Sequence, residues 1–190
     1  TSKAVLRAHG QVFYSPVVEA VARIPTEDLR MGPEAAKVRL GALGFHDEDA
    51  GLRHIEALTS GTSRAVRIQT ALMPAMLAWL ADGPSPDNGL LAFRQVSEAL
   101  GESPWYLRAM RDEGAMAQRL ATVLSTSRYA VDVLTRAPET VQVLVDDDLT
   151  PLDRDDLTRQ MNAVARRHRD VEEAVGAIRA VRRRELFRLL

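Results

Sequence analysis

Apolar side chains recur three and four residues apart along almost the whole of this chain, while stretches alternating apolar and polar residues are hard to find. A stripe with that spacing faces one way only when the backbone coils, because a strand sends neighbouring side chains to opposite faces. Leucine, alanine, arginine and glutamate dominate, and aromatic residues make up only 5% of the chain. The expectation is an all-α fold, a multi-helix bundle built as one unit or as two helical subdomains. At 190 residues the chain is long enough for either.

Turn-formers and capping residues divide the pattern. The first helix is expected over Lys3 to Arg23, with Val5, Leu6, Val12, Phe13, Val17 and Val21 on one side and Pro16 kinking or dividing it; a loop through Pro25 to Gly32 follows. Pro33 suits a first helical position, and Gly44 suits the left-handed residue that closes that helix. Asp47 or Asp49 can cap the next, which carries Leu52, Ile55 and Leu58. Thr62 and Ser63 open a longer helix to about Ala81, bent at Pro74. The run from Asp82 to Asn88 packs turn-formers together and marks the best internal boundary, giving segments 1–82 and 83–190. Pro74 and this run are where movement is expected.

Beyond the boundary, helices are expected through Leu90, Leu91, Phe93 and Val96, from Ser103 and Pro104, through Met116 to Leu124, through Tyr129 to Leu134, and from Pro138 through Leu144. Periodicity resumes near Asp155 and runs to Leu190, broken near His168. The phrases Thr62-Ser63-Arg64 and Thr126-Ser127-Arg128 resemble each other as two capped helix starts. A core is expected around Phe13, Leu43, Ile55, Leu72, Leu77, Trp79, Leu91, Phe93, Trp105, Leu107, Leu120 and Leu134.

Reactive groups do not gather in the sequence. There is no cysteine, which removes thiolate zinc sites, cysteine nucleophiles and disulfides, and fits a reducing compartment such as the cytoplasm. Lys and Arg number 25 against 26 Asp and Glu, a net charge of −1 that gives the chain as a whole no pull toward nucleic acid or anionic membrane. No apolar run approaches the ~20 residues that span a bilayer. No leader pattern follows Thr1, and Glu185 to Leu190 still read as helix, so a piece of a longer polypeptide is expected. His9, His46, His54 and His168 are scattered, and only tertiary folding can bring two of them to one metal.

Two acidic groups invite a metal reading: His46-Asp47-Glu48-Asp49, and Asp146-Asp147-Asp148 with Asp153, Asp155 and Asp156. Asp47-x-Asp49 has the spacing of a Mg²⁺-binding pair but precedes a helix rather than sitting on a strand, so helix capping is the favoured role. Arg166, Arg167, Arg169, Arg179, Arg182, Arg183, Arg184 and Arg188 concentrate positive charge near the end. Acids interleave with them and no aromatics accompany them, which favours intrahelical pairs from Asp170 or Glu173 to later arginines, or contact with another domain, over nucleic acid.

Several phrases, in order, resemble one family. Gly41-Ala42-Leu43-Gly44-Phe45, Leu52-Arg53-His54-Ile55-Glu56-Ala57-Leu58, Gly61-Thr62-Ser63-Arg64, Leu72-Met73-Pro74 and Leu77-Ala78-Trp79-Leu80 are similar to stretches of the glutamine synthetase adenylyltransferases. So are Pro86-Asp87-Asn88-Gly89-Leu90-Leu91-Ala92-Phe93, Ser103-Pro104-Trp105-Tyr106-Leu107-Arg108, Arg111-Asp112, Ser127-Arg128, Ala137-Pro138-Glu139 and Arg182-Arg183-Arg184-Glu185-Leu186, in a form that looks actinobacterial.

The resemblance implies two Mg²⁺- and ATP-dependent nucleotidyltransferase domains in the parent, one attaching AMP to glutamine synthetase and one removing it by phosphorolysis, with a PII-type signal protein and glutamine setting the balance. It places residues 1–82 after the first of these domains and 83–190 as a linker leading into the second. The Gly-Ser and Asp-x-Asp catalytic signatures lie outside this stretch. No catalytic, cofactor-binding or metal residue is therefore assigned, the stretch alone is expected to be inactive, and its partners are the flanking domains and, through them, glutamine synthetase and the PII-type protein. The alternative from a different class is an independent helical adaptor or nucleic-acid-binding module that uses the C-terminal arginines.

Overall fold

The structure, a computed structural model, describes residues 33–146 and 148–190. The helix expected over Lys3 to Arg23, with Phe13, His9 and Pro16, lies outside the described residues, as does Asp147. Among the described residues there are nine α-helices, one 3₁₀ segment and no strand. The α-helices are α1 (Pro33–Ala42), α2 (Glu48–Thr59), α3 (Arg64–Ala81), α4 (Pro86–Leu100), α5 (Pro104–Asp112), α6 (Gly114–Thr126), α7 (Arg128–Arg136), α8 (Arg154–Ala165) and α9 (Val171–Arg188); the 3₁₀ segment, Pro138–Val145, follows α7.

The helix ends follow the capping chemistry of the sequence. Gly44 has φ of +99°, and the N–H groups of Gly44 and Phe45 return to the carbonyls of Gly41 and Leu40, which closes α1 in a left-handed cap with Leu40 and Phe45 both buried beneath it. Side-chain oxygens of Asp47, Ser63, Ser127, Asp153 and Asp170 each accept a free first-turn N–H of the helix that follows. The two similar phrases at 62–64 and 126–128 thus share a capping serine. Helix α3 runs unbroken through Pro74, which is buried in its middle. Pro138 starts a 3₁₀ turn rather than an α-helix. Val141, Val143 and Val145 are branched at Cβ and crowd an α-helical turn, and the tighter winding still buries Val141, Val143 and Leu144.

One cluster of buried side chains runs from Leu40 to Phe187. Helix α4 lies near its middle and packs against α2, α3, α6, α7 and the 3₁₀ segment; α6 packs in turn against α3, α5 and α7. Helices on both sides of the Asp82–Ser85 turn, α3 and α4, contribute to this same cluster. The crossing of α4 on α6 is close: a Cβ at Gly89 would lie 3.2 Å from the Ser125 Cα and 2.8 Å from the Leu80 Cδ2, so glycine sets the approach.

Of the side chains expected in the core, Leu72, Trp79, Phe93, Leu107, Leu120 and Leu134 are buried, and Leu43, Ile55, Leu77 and Trp105 pack against it half-buried. Leu91 is a correction: it is 38% exposed, because Leu90, Phe93, Val96 and Leu100 take the inward stripe of α4 and leave the adjacent position outside. Tyr106 is fully buried beside Trp105, their rings edge to face with centroids 5.9 Å apart. Its hydroxyl shares a hydrogen bond with Ser97 at 3.0 Å, and burial pushes its pKa up to about 12.

Candidate functional site: the joint between the bundle and the C-terminal hairpin

Helices α8 and α9 pack on each other as a hairpin, and α9 reaches the rest of the molecule through the 3₁₀ segment and α7. Helix α8 buries no residue completely, and α9 buries only Val181 and Phe187. Val171, Val175, Leu152, Leu189 and Leu190 are exposed. The connection from 144 to 152 is therefore the joint on which the hairpin's position depends.

Polar side chains hold the joint by its backbone. Arg119, on α6, donates from Nη1 to the carbonyls of Leu144 (3.0 Å) and Asp146 (2.8 Å), satisfying groups at the end of the 3₁₀ segment that have no helical partner. From the other side, Arg188 of α9 donates Nη1 to the Asp148 carbonyl (2.9 Å) and Nη2 to the Asp146 carboxylate (2.8 Å). Glu185 accepts the Leu152 N–H at 2.9 Å and lies 3.4 Å from the Arg188 Nε. Both the Arg188 and Glu185 side chains are largely shielded, at 18% and 13% exposure, so solvent screens this pair less than an open surface pair. Thr150 holds the Asp148 carboxyl below its usual value, first through its side chain and then through its N–H, which Asp148 accepts at 2.8 Å. The Arg183 Nε is buried without a hydrogen-bond acceptor among the described residues.

The residues singled out in the sequence are used as follows. Asp47 caps α2, and Asp49 pairs with Lys37 of α1 at 2.8 Å, which lowers the carboxyl pKa and raises that of the lysine. Asp87, at the start of α4, accepts the N–H groups of His46 and Asp47 at 3.1–3.2 Å and pairs with the His46 ring at 3.4 Å. Burial pulls the Asp87 carboxyl upward, but these bonds outweigh it and hold the pKa below its usual value. His54 lies 3.3 Å from Arg94, and burial, with the charges of Arg94 and Arg53, depresses its pKa. His46 and His54 are thus engaged with different partners. Among the described residues no three His, Asp or Glu side chains come together as metal ligands.

The expected pairing of Asp170 or Glu173 with later arginines is not what forms. Asp170 accepts the N–H groups of Glu172 and Glu173 as the cap of α9, and Glu173 meets His168 at 3.3 Å. The N-cap position offers the Asp170 carboxylate two N–H donors one turn away, so it turns back instead of reaching along the helix. Arg188 is drawn into the joint, while Arg166, Arg167, Arg169, Arg179, Arg182 and Arg184 remain exposed. Sequence reasoning missed Arg119 because its acceptors lie 25 and 27 residues away, beyond any local pattern. Among the described residues no helix is long and apolar enough to cross a membrane.

Comparison with known proteins brings in what the geometry lacks. No family model matches the chain, and no solved structure matches it. Over all 190 residues it is 93% identical to part of the bifunctional glutamine synthetase adenylyltransferase/adenylyl-removing enzyme of Cutibacterium acnes, covering 100% of this chain and 19% of that protein. The enzyme of the same name from Streptomyces coelicolor is 52% identical over 187 residues, 97% of this chain and 19% of its own length. That of Corynebacterium efficiens is 37% identical over 185 residues, 95% of this chain and 18% of its own. The chain therefore spans about a fifth of the relatives it matches, and it belongs, as a segment of that size, to the family of actinobacterial bifunctional glutamine synthetase adenylyltransferase/adenylyl-removing enzymes.

Proposed function

We propose that this chain is a non-catalytic, interdomain helical module of an enzyme that adenylylates and deadenylylates glutamine synthetase. In this reading residues 1–82 follow one nucleotidyltransferase domain and 83–190 lead into the other; ATP and Mg²⁺ act in those flanking domains. The setting is the cytoplasm, and glutamine synthetase and a PII-type signal protein act on or through the whole enzyme.

The observation that carries the proposal is the contrast across the joint, in a chain one-fifth the length of its relatives. The bundle from α1 to α7, with the 3₁₀ segment, supplies every buried side chain of the core cluster except Phe187 of α9. The hairpin leaves Val171 75% and Leu189 67% exposed, and buries nothing on α8. Isolated helices of this length are marginal in water, so the hairpin's uncovered face is where the remainder of the enzyme packs. The buried Nε of Arg183 supports this, since such a donor calls for an acceptor supplied from elsewhere. The Arg119–Arg188 clamp then fixes the angle between bundle and hairpin. Rearranging it would turn one flanking domain relative to the other, as domain rotations about interfaces do.

Amide hydrogen exchange on the 190-residue chain and on the complete enzyme tests this. Amides of α8 and α9 should exchange at least about tenfold faster in the short chain, while those of α3, α4 and α6 should not change. Equal protection of the hairpin in both would overturn the scaffold reading, and adenylyl transfer catalysed by the 190 residues alone would overturn the non-catalytic one.

A further inference from the structure

A second feature lies away from the joint, on the side of the bundle where the first turns of α3 meet the last turn of α5. A hollow of about 440 Å³ opens there, with Arg64, Arg67 and Arg111 at its edge and Ile68, Ala71, Leu72 and Met110 beneath. Its origin is local. Positions 64, 67, 68, 71 and 72 share one face of α3, and Ala71 presents only a methyl group where a longer side chain would fill the space. Burial of Leu72 and Met110 makes the floor a fixed part of the core.

Cations outnumber acids here, with Asp112 the carboxylate among Arg64, Arg108 and Arg111. Arg111 forks onto Asp112 through Nε and Nη2, both at 2.6 Å. That bond, with the nearby charges of Arg64 and Arg108, holds the Asp112 carboxyl below its usual value. The guanidinium groups of Arg64 and Arg67 have no hydrogen-bond or ion-pair partner among the described residues, and they stand three apart at the start of α3, where the helix dipole adds positive potential. Nothing in the joint or in the scaffold reading uses this arrangement.

We infer that the hollow binds a small organic oxyanion, a carboxylate or phosphate group gripped by Arg64 and Arg67 with its apolar body resting on Ile68, Ala71, Leu72 and Met110. Planar guanidinium forks match both anions with paired hydrogen bonds. The volume falls in the range of small-molecule sites. No aromatic ring lines the hollow, so stacked nucleic-acid bases are a poor match.

The test titrates the 190-residue chain with benzoate, phenyl phosphate and inorganic phosphate while recording backbone and arginine Nε–Hε NMR signals. Saturable shifts should appear at Arg64, Arg67, Ile68 and Met110 with either organic anion, and at least about tenfold weaker binding with inorganic phosphate, which has no apolar body. The stronger of the two organic anions identifies the group preferred. The double variant R64Q/R67Q should weaken binding about tenfold or more. Ala71→Leu, an exposed helical position that accepts leucine without unfolding the bundle, should block both organic anions by filling the hollow. The inference is overturned by an absence of saturable shifts up to about 10 mM, by equal affinity for inorganic phosphate, or by equal binding to R64Q/R67Q. Loss of hairpin protection in hydrogen exchange would leave this result untouched, so the two proposals fail separately.

Discussion

Helices α4 and α9 have comparable lengths and both carry apolar residues at helical spacing, yet they are held in opposite ways. Of its 15 residues α4 buries Pro86, Gly89, Leu90, Ala92, Phe93, Val96, Ser97 and Leu100, and neighbours surround it on several sides. Of its 18 residues α9 buries only Val181 and Phe187, and beside that small apolar contact Arg188 and Glu185 grip a connecting segment by its backbone. Apolar packing stabilises through area removed from water and tolerates little displacement, because a filled core has no second arrangement of equal energy. A clamp built from a few directional bonds has such alternatives. The bundle is therefore the rigid body and the hairpin the adjustable one.

The hardest blow to this contrast comes from Phe93→Ala. Its side chain is 0% exposed at the centre of α4, so truncation should cost about 3–5 kcal/mol in denaturant unfolding of the 190-residue chain, and protection of α2, α3, α6 and α7 should fall together. A loss confined to α4 would mean that the cluster is not one cooperative core. Arg188→Ala comes next. It removes charged hydrogen bonds to Asp146 and Asp148 and leaves the shielded Glu185 without its cation, at about 1.5–3 kcal/mol, reduced by the half-exposure of Asp146. Hydrogen exchange should locate the effect in α8, α9 and residues 148–152 while α3 and α4 keep their protection. If the bundle loosens equally, hairpin and bundle are one unit.

Asp87→Asn sharpens the comparison within the bundle, where a polar clamp also exists but is backed by a core. Asp87 ties the loop before α2 to the start of α4, and replacing it should cost about 1–2 kcal/mol near neutral pH. The folded-state pKa is lower than the unfolded one, so the carboxylate's contribution is present above the ordinary carboxylate range and disappears as pH falls through the depressed folded value. Unfolding curves of Asp87→Asn and the parent chain should therefore converge in acid, once the pH has fallen below the depressed folded value. A gap that persists there would show that the amide substitution acts through packing rather than charge.

What the sequence disclosed follows the range of each interaction. Caps depend on atoms two or three residues apart, and the serines and aspartates at 47, 63, 127 and 153, with Gly44, announced helix boundaries correctly, whereas Asp170, expected to pair along its helix, caps it instead. Leu90 and Leu91 are chemically the same, so only the packing partners of α4 decide which is buried. Pro138 marked a start, but the spacing of Val141, Val143 and Val145 selected a tighter turn than the α-helix that was expected. The joint was invisible. Arg119 and Arg188 reach acceptors 25 to 42 residues away, and an arginine in a run of arginines carries no mark of the one that will be shielded. The hollow between α3 and α5 was equally hidden, since Arg64 and Arg111 come to line one space only after those two helices have packed.

The smallest expected effect separates a bare hairpin from a covered one. Val171 opens α9 and is 75% exposed, so Val171→Ser removes almost no packing in the 190-residue chain. Serine and valine also have nearly equal helix propensity, and the capping bonds of Asp170 come from its own carboxylate and are kept. The unfolding free energy of the short chain should therefore change by less than about 0.5 kcal/mol. In the complete enzyme the same substitution places a hydroxyl where an apolar surface is proposed to rest, and the loss should rise to about 1–2 kcal/mol of hairpin protection in hydrogen exchange. A cost already present in the short chain would place Val171 in the bundle's own packing. A cost absent from both would mean that no further surface covers the hairpin at this position, and that the ionic joint alone sets its orientation.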